Sequence, residues 1–322
     1  MNGMEKRPLI ILTGPTAVGK TDTSIALAKK IGGEIISADS IQVYRYMDIG
    51  SAKISKAEMK GVPHFLIDEF DPSEEFNIVV FQKLAFRYME EIYKRGHIPI
   101  LTGGTGFYIQ SVLYGIDFDE NETDRLYREE LEKYAKQYGA EALHKRLQQV
   151  DEESARQIHA NNIKRVIRAL EYYKQTQQPI SAHNQIQHKK ESPYQFVYFV
   201  LNRERSKLYD RINLRVDKML EQGLVEEVKQ LLEKGYSRNL VSMQGLGYKE
   251  IAASLEGEIS LEEAIEKIKR DTRHFAKRQL TWFRREKDVT WIDMDQFVST
   301  EEVLDYLLKI LEEKKIQFEK YF

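Results

Sequence analysis

The 322-residue sequence contains no cysteine. That excludes disulfides and thiolate metal sites and makes a reducing cytosol the simplest expectation. It also lacks a charge excess: 49 Lys and Arg stand against 51 Asp and Glu, a net charge of −2. No uniformly basic coat is therefore available for nucleic acid, and any such surface must come from local segregation. No apolar run approaches the roughly 20 residues that span a bilayer, and Met1-Asn2-Gly3-Met4-Glu5-Lys6-Arg7 carries no signal-peptide core. A cytoplasmic protein with no membrane partner is expected. The seven histidines show no metal-ligand spacing. What is present, 42% hydrophobic and 31% charged residues, is a soluble balance sufficient for one large domain or two.

The strongest local signal is near the start. The apolar run Pro8-Leu9-Ile10-Ile11-Leu12-Thr13 leads into Gly14-Pro15-Thr16-Ala17-Val18-Gly19-Lys20-Thr21, and a helical pattern follows from Asp22 to Ala28. This is G-x-x-x-x-G-K-[ST] between a strand and a helix. Its glycines let backbone N–H groups converge on an anion at the positive end of a helix, Lys20 adds a charge, and the Thr21 hydroxyl is placed to ligate magnesium held by the same phosphates. A di- or triphosphate is expected here.

Further strands are predicted at Glu34–Ser40, His64–Asp68 and Ile98–Thr102, with a helix over Ile78–Tyr93 and a turn through Gly103-Gly104-Thr105-Gly106. Alternating strands and helices imply an α/β fold, a P-loop NTPase-like parallel sheet covered by helices. Ligands in such sheets bind beyond the carboxyl ends of the strands, where Lys20, Asp39 and Thr105 all fall. From about Asp117 helical periodicity takes over until the strand pattern Gln195–Leu201. Residues 117–197 therefore read as a helical insertion, with Ser181–Ser192 its polar return linker, between core segments 1–116 and 198–322. Helices are predicted at Leu208–Gln222, Val225–Glu233, Tyr248–Leu255, Leu261–Lys287 and Glu301 to about Glu319, with a last strand at Val289–Asp293.

Charge is segregated in two places. Arg203, Arg205, Lys207, Arg211, Arg215 and Lys218 crowd one stretch, with Arg211, Arg215 and Lys218 on one helix face. A second run extends from Lys267 to Lys287, with Ile268, Phe275 and Trp282 every seven residues marking a buried edge. With Lys164, Arg165 and Arg168 in the insertion, these clusters point to a polyanion, of which nucleic acid is the usual example. Asp39 reads either as a turn carboxylate or as a base near the phosphate cradle. Thr105 reads as part of a tight turn or of the site. Asp68-Glu69 has the look of a magnesium-holding acidic strand end. Two enzyme classes remain, a nucleoside or small-molecule kinase using ATP and an enzyme that transfers a group from a diphosphate donor to a nucleic acid.

Eight ordered segments carry a resemblance. They are Gly14–Thr21, Ser37–Arg45, Met47–Lys53, Gly103–Tyr108, Lys164–Glu171, Arg211–Leu220, Gly245–Glu250 and Ala276–Arg284. The chain resembles, nearly end to end, the bacterial tRNA dimethylallyltransferases, or tRNA isopentenyltransferases. Asn162-Ile163 stands where the family often has Asn-Pro. The resemblance implies transfer of a dimethylallyl group from dimethylallyl diphosphate to N6 of adenine 37, beside the anticodon, in tRNAs reading codons that start with U. It implies that Gly14, Pro15, Thr16, Ala17, Val18, Gly19, Lys20 and Thr21 cradle the donor's diphosphate, with Mg2+ on Thr21. Asp39 would be the general base, Thr105 would hydrogen-bond near the reacting centre, and Lys20 and Arg215 would stabilise the leaving group. Asp39, Ser40, Ile41 and Gln42, then Lys164, Arg165, Val166, Ile167 and Arg168, then Gln244, Gly245, Leu246, Gly247, Tyr248 and Lys249 match the family's tRNA-contacting segments. The insertion would grip the anticodon stem-loop, and a monomer is expected.

Overall fold

The computed structural model describes residues 6–118, 125–187 and 190–317. It divides into two compact units, residues 1–113 with 192–322 and residues 114–191. The sequence reading set the joints at 117 and 197; the strand that begins at Gln195 belongs to the sheet, which draws the second joint back.

The first unit runs β1 (Pro8–Thr13), α1 (Lys20–Ile31), β2 (Gly33–Ser37), β3 (His64–Phe65), α2 (Ile78–Lys94), β4 (Ile98–Gly103) and α3 (Gly106–Leu113). The second unit holds α4 (Arg125–Tyr138), α5 (Ala140–Val150), α6 (Glu152–Gln157), α7 (Ile163–Thr176) and α8 (Ile180–Gln187). The first then resumes with β5 (Gln195–Asn202), α9 (Arg205–Glu221), α10 (Leu224–Glu233), α11 (Tyr248–Leu255), α12 (Leu261–Phe283), β6 (Val289–Asp293) and α13 (Thr300–Glu313).

The strands pair in parallel in the order β3-β2-β4-β1-β5-β6. Ile10, Leu12, Ile35, Ile100, Val197 and Phe199 share one face and pack in one cluster with Ile25, Ala28 and Ile31 of α1 and Leu304, Leu307 and Leu311 of α13. The alternate residues Leu9, Ile11, Ile36 and Leu101 are equally buried, and α2 closes that side with Phe81, Ala85, Met89 and Ile92. A sheet covered on both faces needs apolar residues at successive positions, which is why these strands read as continuous runs rather than alternations. The chain leaves β1 toward β2 on one side and leaves β4 toward β5 on the other. The β1/β4 boundary is therefore the switch point, where a crevice opens beyond the strand ends.

Several expectations change in extent. The third strand ends after two residues because Leu66 and Asp68 adopt left-handed backbone, φ 60° and 61°. Helix α12 stops at Phe283 rather than Lys287. Helix α13 stops at Glu313, and the expected end near Glu319 lies outside the described residues. Most of the expected polar linker at 181–192 is the helix α8. Its first turn is tied to Asp151, whose buried carboxylate accepts from Ser181 N–H (2.9 Å) and Oγ (2.6 Å) and from Ser154 N–H (2.9 Å) and Oγ (2.7 Å). Burial pushes the Asp151 carboxyl up, but these four bonds outweigh it and hold it below the usual range.

In the second unit, Leu131, Leu143, Leu147, Val166, Ile167 and Leu170 form the core. Glu171 is buried there, and Arg128 holds it bidentately at 2.8 and 2.7 Å.

Candidate active site

The loop between β1 and α1 is shaped by its backbone. Gly19 has φ 116°, a conformation that a side chain would strain, and it turns the chain straight into α1. No side chain caps α1, whereas Asn77, Ser260 and Ser299 cap α2, α12 and α13. The first amides of α1 thus remain available to an anion. Lys20 folds over the loop, donating to the carbonyls of Gly14 (3.0 Å) and Pro15 (2.8 Å). Burial first, and the Arg215 charge second, pull the Lys20 ammonium down to about 7, against the opposing pull of Asp39.

The loop's outer side is clamped by the first basic cluster. Arg211 Nε donates to Ala17 O at 2.8 Å, and Arg203 Nε to Val18 O at 3.2 Å, with Arg203 itself held by Asp295 at 2.8 Å. The second cluster packs against the first through α12 and α9: Arg273 donates to Asn213 Oδ1 (2.6 Å) and Lys269 pairs with Asp217 (2.7 Å). Part of the segregated charge is therefore locally compensated.

Asp39 lies two residues past β2. Its Oδ1 accepts from Ile41 N–H (2.9 Å) and Gln42 N–H (3.2 Å), an Asx turn that fixes the carboxylate. The turn reading is met by one oxygen, and the carboxylate also lines the cavity beside the phosphate loop. That cavity, about 540 Å³, is bounded by Gly19, Lys20 and Thr21, by Asp39 and Gln42, by Gly103 and Gly104, and by Arg211, Arg215 and Lys218 of α9. Ile54, Ile67, Leu214 and Phe275 add apolar wall. Arg215 loses some of its proton affinity through burial, while Asp39 acts the other way. The cavity thus combines a strongly cationic cradle, one carboxylate and hydrocarbon surface.

Thr105 sits one residue beyond the wall. Its N–H donates to Ala38 O (3.2 Å), and its carbonyl accepts from Tyr108 and Ile109 as α3 begins. Of the residues matched to tRNA-contacting segments, Lys164, Arg165 and Arg168 are exposed, while Val166 and Ile167 are core residues of the second unit. Gly245 lies close to Ile41, so segments 39–42 and 244–249 are neighbours. Gln244 is exposed, but the Tyr248 side chain is fully buried.

The acidic strand end is a correction. Asp68 pairs with Lys53 (3.0 Å), and Glu69 accepts from Leu66 N–H (2.6 Å) and Tyr88 Oη (2.7 Å). Neither residue lines the cavity. The left-handed turn at Leu66 takes the chain off the strand before the acids. Among the described residues no group of three or more His, Cys, Asp or Glu is placed to hold a metal.

Two residues escaped the sequence reading. Buried Gln279 of α12 accepts from Thr16 N–H and donates to Gly104 O, both at 3.0 Å, joining the phosphate loop to the loop after β4. Gln279 lies within the segment Ala276–Arg284, but a lone polar residue on a helix flank gives no pattern from which its role could be read. Glu227 of α10 accepts from three consecutive N–H groups, Asp48 (3.0 Å), Ile49 (2.7 Å) and Gly50 (3.1 Å).

Residues 42–286 match the family described as IPP transferase, and residues 8–75 match the description Isopentenyl transferase. A tRNA dimethylallyltransferase of Lachnoclostridium phytofermentans is 62% identical over 310 residues, covering 96% of this chain and 99% of the relative. One from Acetivibrio thermocellus is 50% identical over 299 residues, covering 93% and 96%. Among solved structures, the tRNA isopentenylpyrophosphate transferase of Bacillus halodurans has TM-score 0.71 at 47% identity and covers 96% of this chain and 98% of its own. A eukaryotic dimethylallyltransferase, described as acting on tRNA, has TM-score 0.82 at 29% identity, covering 98% of this chain and 81% of its own. With a phosphate loop, Asp39 and Arg215 on one cavity and matches of this length, the chain belongs to the tRNA dimethylallyltransferase (IPP transferase) family.

Proposed function

We propose that the chain transfers a dimethylallyl group from dimethylallyl diphosphate to N6 of adenine 37, beside the anticodon of tRNAs that read codons starting with U, and releases diphosphate. The observation that carries this reading is the shared cavity: Lys20, Arg215 and the uncapped start of α1 face the same space as Asp39, with Leu214 and Phe275 beside them. An amphiphilic donor fits such a wall, its diphosphate on the cations and its five-carbon tail on hydrocarbon.

The exocyclic amine is a weak nucleophile because its lone pair is delocalised into the ring. Positioning and leaving-group stabilisation therefore carry most of the acceleration. As N6 bonds to the allylic carbon, that carbon's bond to the bridging oxygen breaks and the electron pair leaves with diphosphate, whose charge Lys20 and Arg215 take up. Asp39 accepts the N6 proton. The adenine must first leave the anticodon-loop stack, which is cheaper for a loop base than for a paired one. Lys164, Arg165 and Arg168 are suited to phosphate contacts on the stem, and Gln42 and Gln244 to contacts with the loop. Thr105 would act near the bridging oxygen.

The donor set suits magnesium held chiefly by phosphate oxygens and water. Thr21, exposed on the first turn of α1, offers one hydroxyl, and among the described residues no cluster of three or more His, Cys, Asp or Glu accompanies it. When bound, the ion would add charge stabilisation to the departing diphosphate.

The test is a pair of assays run side by side. Labelled dimethylallyl diphosphate with tRNA should give labelled tRNA, and γ-labelled ATP with nucleosides or tRNA should give no phosphorylated product. The reverse result would assign the cavity to a kinase, and silence in both with retained tRNA binding would leave a binding protein.

A further inference from the structure

We infer that Glu227 is a positioning residue for the transfer reaction, acting through the loop 48–52 and Gln42 on Asp39. The inference rests on the reading of Asp39 as the base. Both carboxylate oxygens of Glu227 are engaged: Oε2 with the N–H groups of Asp48 and Ile49, and Oε1 with Gly50 N–H and, at 2.8 Å, the hydroxyl of Tyr248. Three successive amides converging on one anion make a concave backbone turn, here filled by the protein's own side chain. The fit admits no side chain at position 50, where a Cβ would come within 2.7 Å of the Tyr248 ring and 3.0 Å of Leu224.

The path onward is continuous. Ser51 N–H donates to the Tyr248 hydroxyl at 3.2 Å. The carbonyls of Ser51 and Ala52 accept from Gln42 Nε2 at 3.2 and 3.3 Å. Gln42 N–H in turn donates to Asp39 Oδ1. Lys53 pins the far end of the loop, donating to Tyr44 O at 2.6 Å. Ser51, Gln42 and Asp39 all line the cavity, and Glu227 does not. Glu227 therefore acts from outside the cavity wall, setting where the Asp39 turn sits.

Glu227→Gln keeps the volume but offers one acceptor oxygen where two are used and puts an NH2 against donors. Misplacing a reacting group by about an ångström costs up to about 10²-fold. The expected result is a fall in kcat of about 10- to 100-fold, with the Kd of dimethylallyl diphosphate, measured calorimetrically without tRNA, changed less than about threefold because the phosphate cradle is untouched. Tyr248→Phe, which keeps the fold's volume and removes one bond to Glu227, should lose about 3- to 10-fold in kcat.

The deciding measurement is the cycle of Glu227→Gln, Asp39→Asn and the double variant. If Glu227 acts through Asp39, the double variant is no slower than Asp39→Asn alone. Multiplying losses would overturn the role of Glu227 while leaving Asp39 as base. A full-rate Asp39→Asn enzyme would instead remove the base reading. If Glu227→Gln fails to fold, Tyr248→Phe enters the same cycle, and multiplying losses there likewise overturn the proposal.

Discussion

Donor binding should draw a proton into the cavity. Free Lys20 is held to about 7 by burial and by Arg215, so at pH 8 only about one molecule in ten carries the charge there. A diphosphate seated on Gly14–Thr21 favours the ammonium strongly and should raise that pKa well above 8. Binding at pH 8 should therefore take up close to one proton at Lys20, and at pH 6 only about a tenth of one. Above pH 7 the Kd should weaken by about tenfold per pH unit. Calorimetric titrations of dimethylallyl diphosphate in two buffers of different ionisation enthalpy read the proton count directly, and Lys20→Gln subtracts the donor's own titration. Equal uptake by parent and Lys20→Gln at pH 8 would refute the reasoning. The sign for stability is the converse. The unfolded chain binds the Lys20 proton up to about 10.5 and the folded chain only to about 7, so this group makes stability rise with pH across that window and costs most below it. The fall from 10.5 to about 7 corresponds to at most about 5 kcal/mol.

Two further outcomes test other parts of the account. Gln279→Leu leaves Thr16 N–H and Gly104 O without their partner, and at about 1–3 kcal/mol for each unsatisfied group it should cost about 2–6 kcal/mol in urea unfolding; an unchanged midpoint would contradict the clamp. Lys164→Ala and Arg168→Ala should each reduce the slope of log K for tRNA against log salt by about 0.7–0.9 and leave donor affinity alone, and slopes equal to the parent's would remove both as phosphate contacts.

The phosphate loop, the strand before it and, to within a residue, the bounds of α2, α10 and α11 were legible because their signals are local. Apolar runs, glycines and caps act on their immediate neighbours. The cationic face of α9 was legible for the same reason, since Arg211, Arg215 and Lys218 share it by helical spacing alone. What was not legible depends on residues distant in sequence. Asp68-Glu69 had the composition of a metal-holding strand end, but Lys53 and Tyr88 claim those carboxylates and a left-handed turn removes them from the sheet edge. The 181–187 segment looked like linker because it has no apolar face, and Asp151, thirty residues earlier, orders it. Gln279 and Glu227 each serve backbone groups on loops more than 170 residues away, and no spacing rule marks such a residue. Tyr248 lay within a correctly recognised motif, yet its side chain faces the interior, where it bonds Glu227.

The central claim is that transfer occurs in the cavity shared by the phosphate loop and Asp39. It is tested most directly by single-turnover transfer with Asp39→Ala, donor prebound and tRNA saturating. The account predicts a rate lower by orders of magnitude, with the tRNA dissociation constant within a few-fold of the parent's. A parental rate would place the chemistry elsewhere.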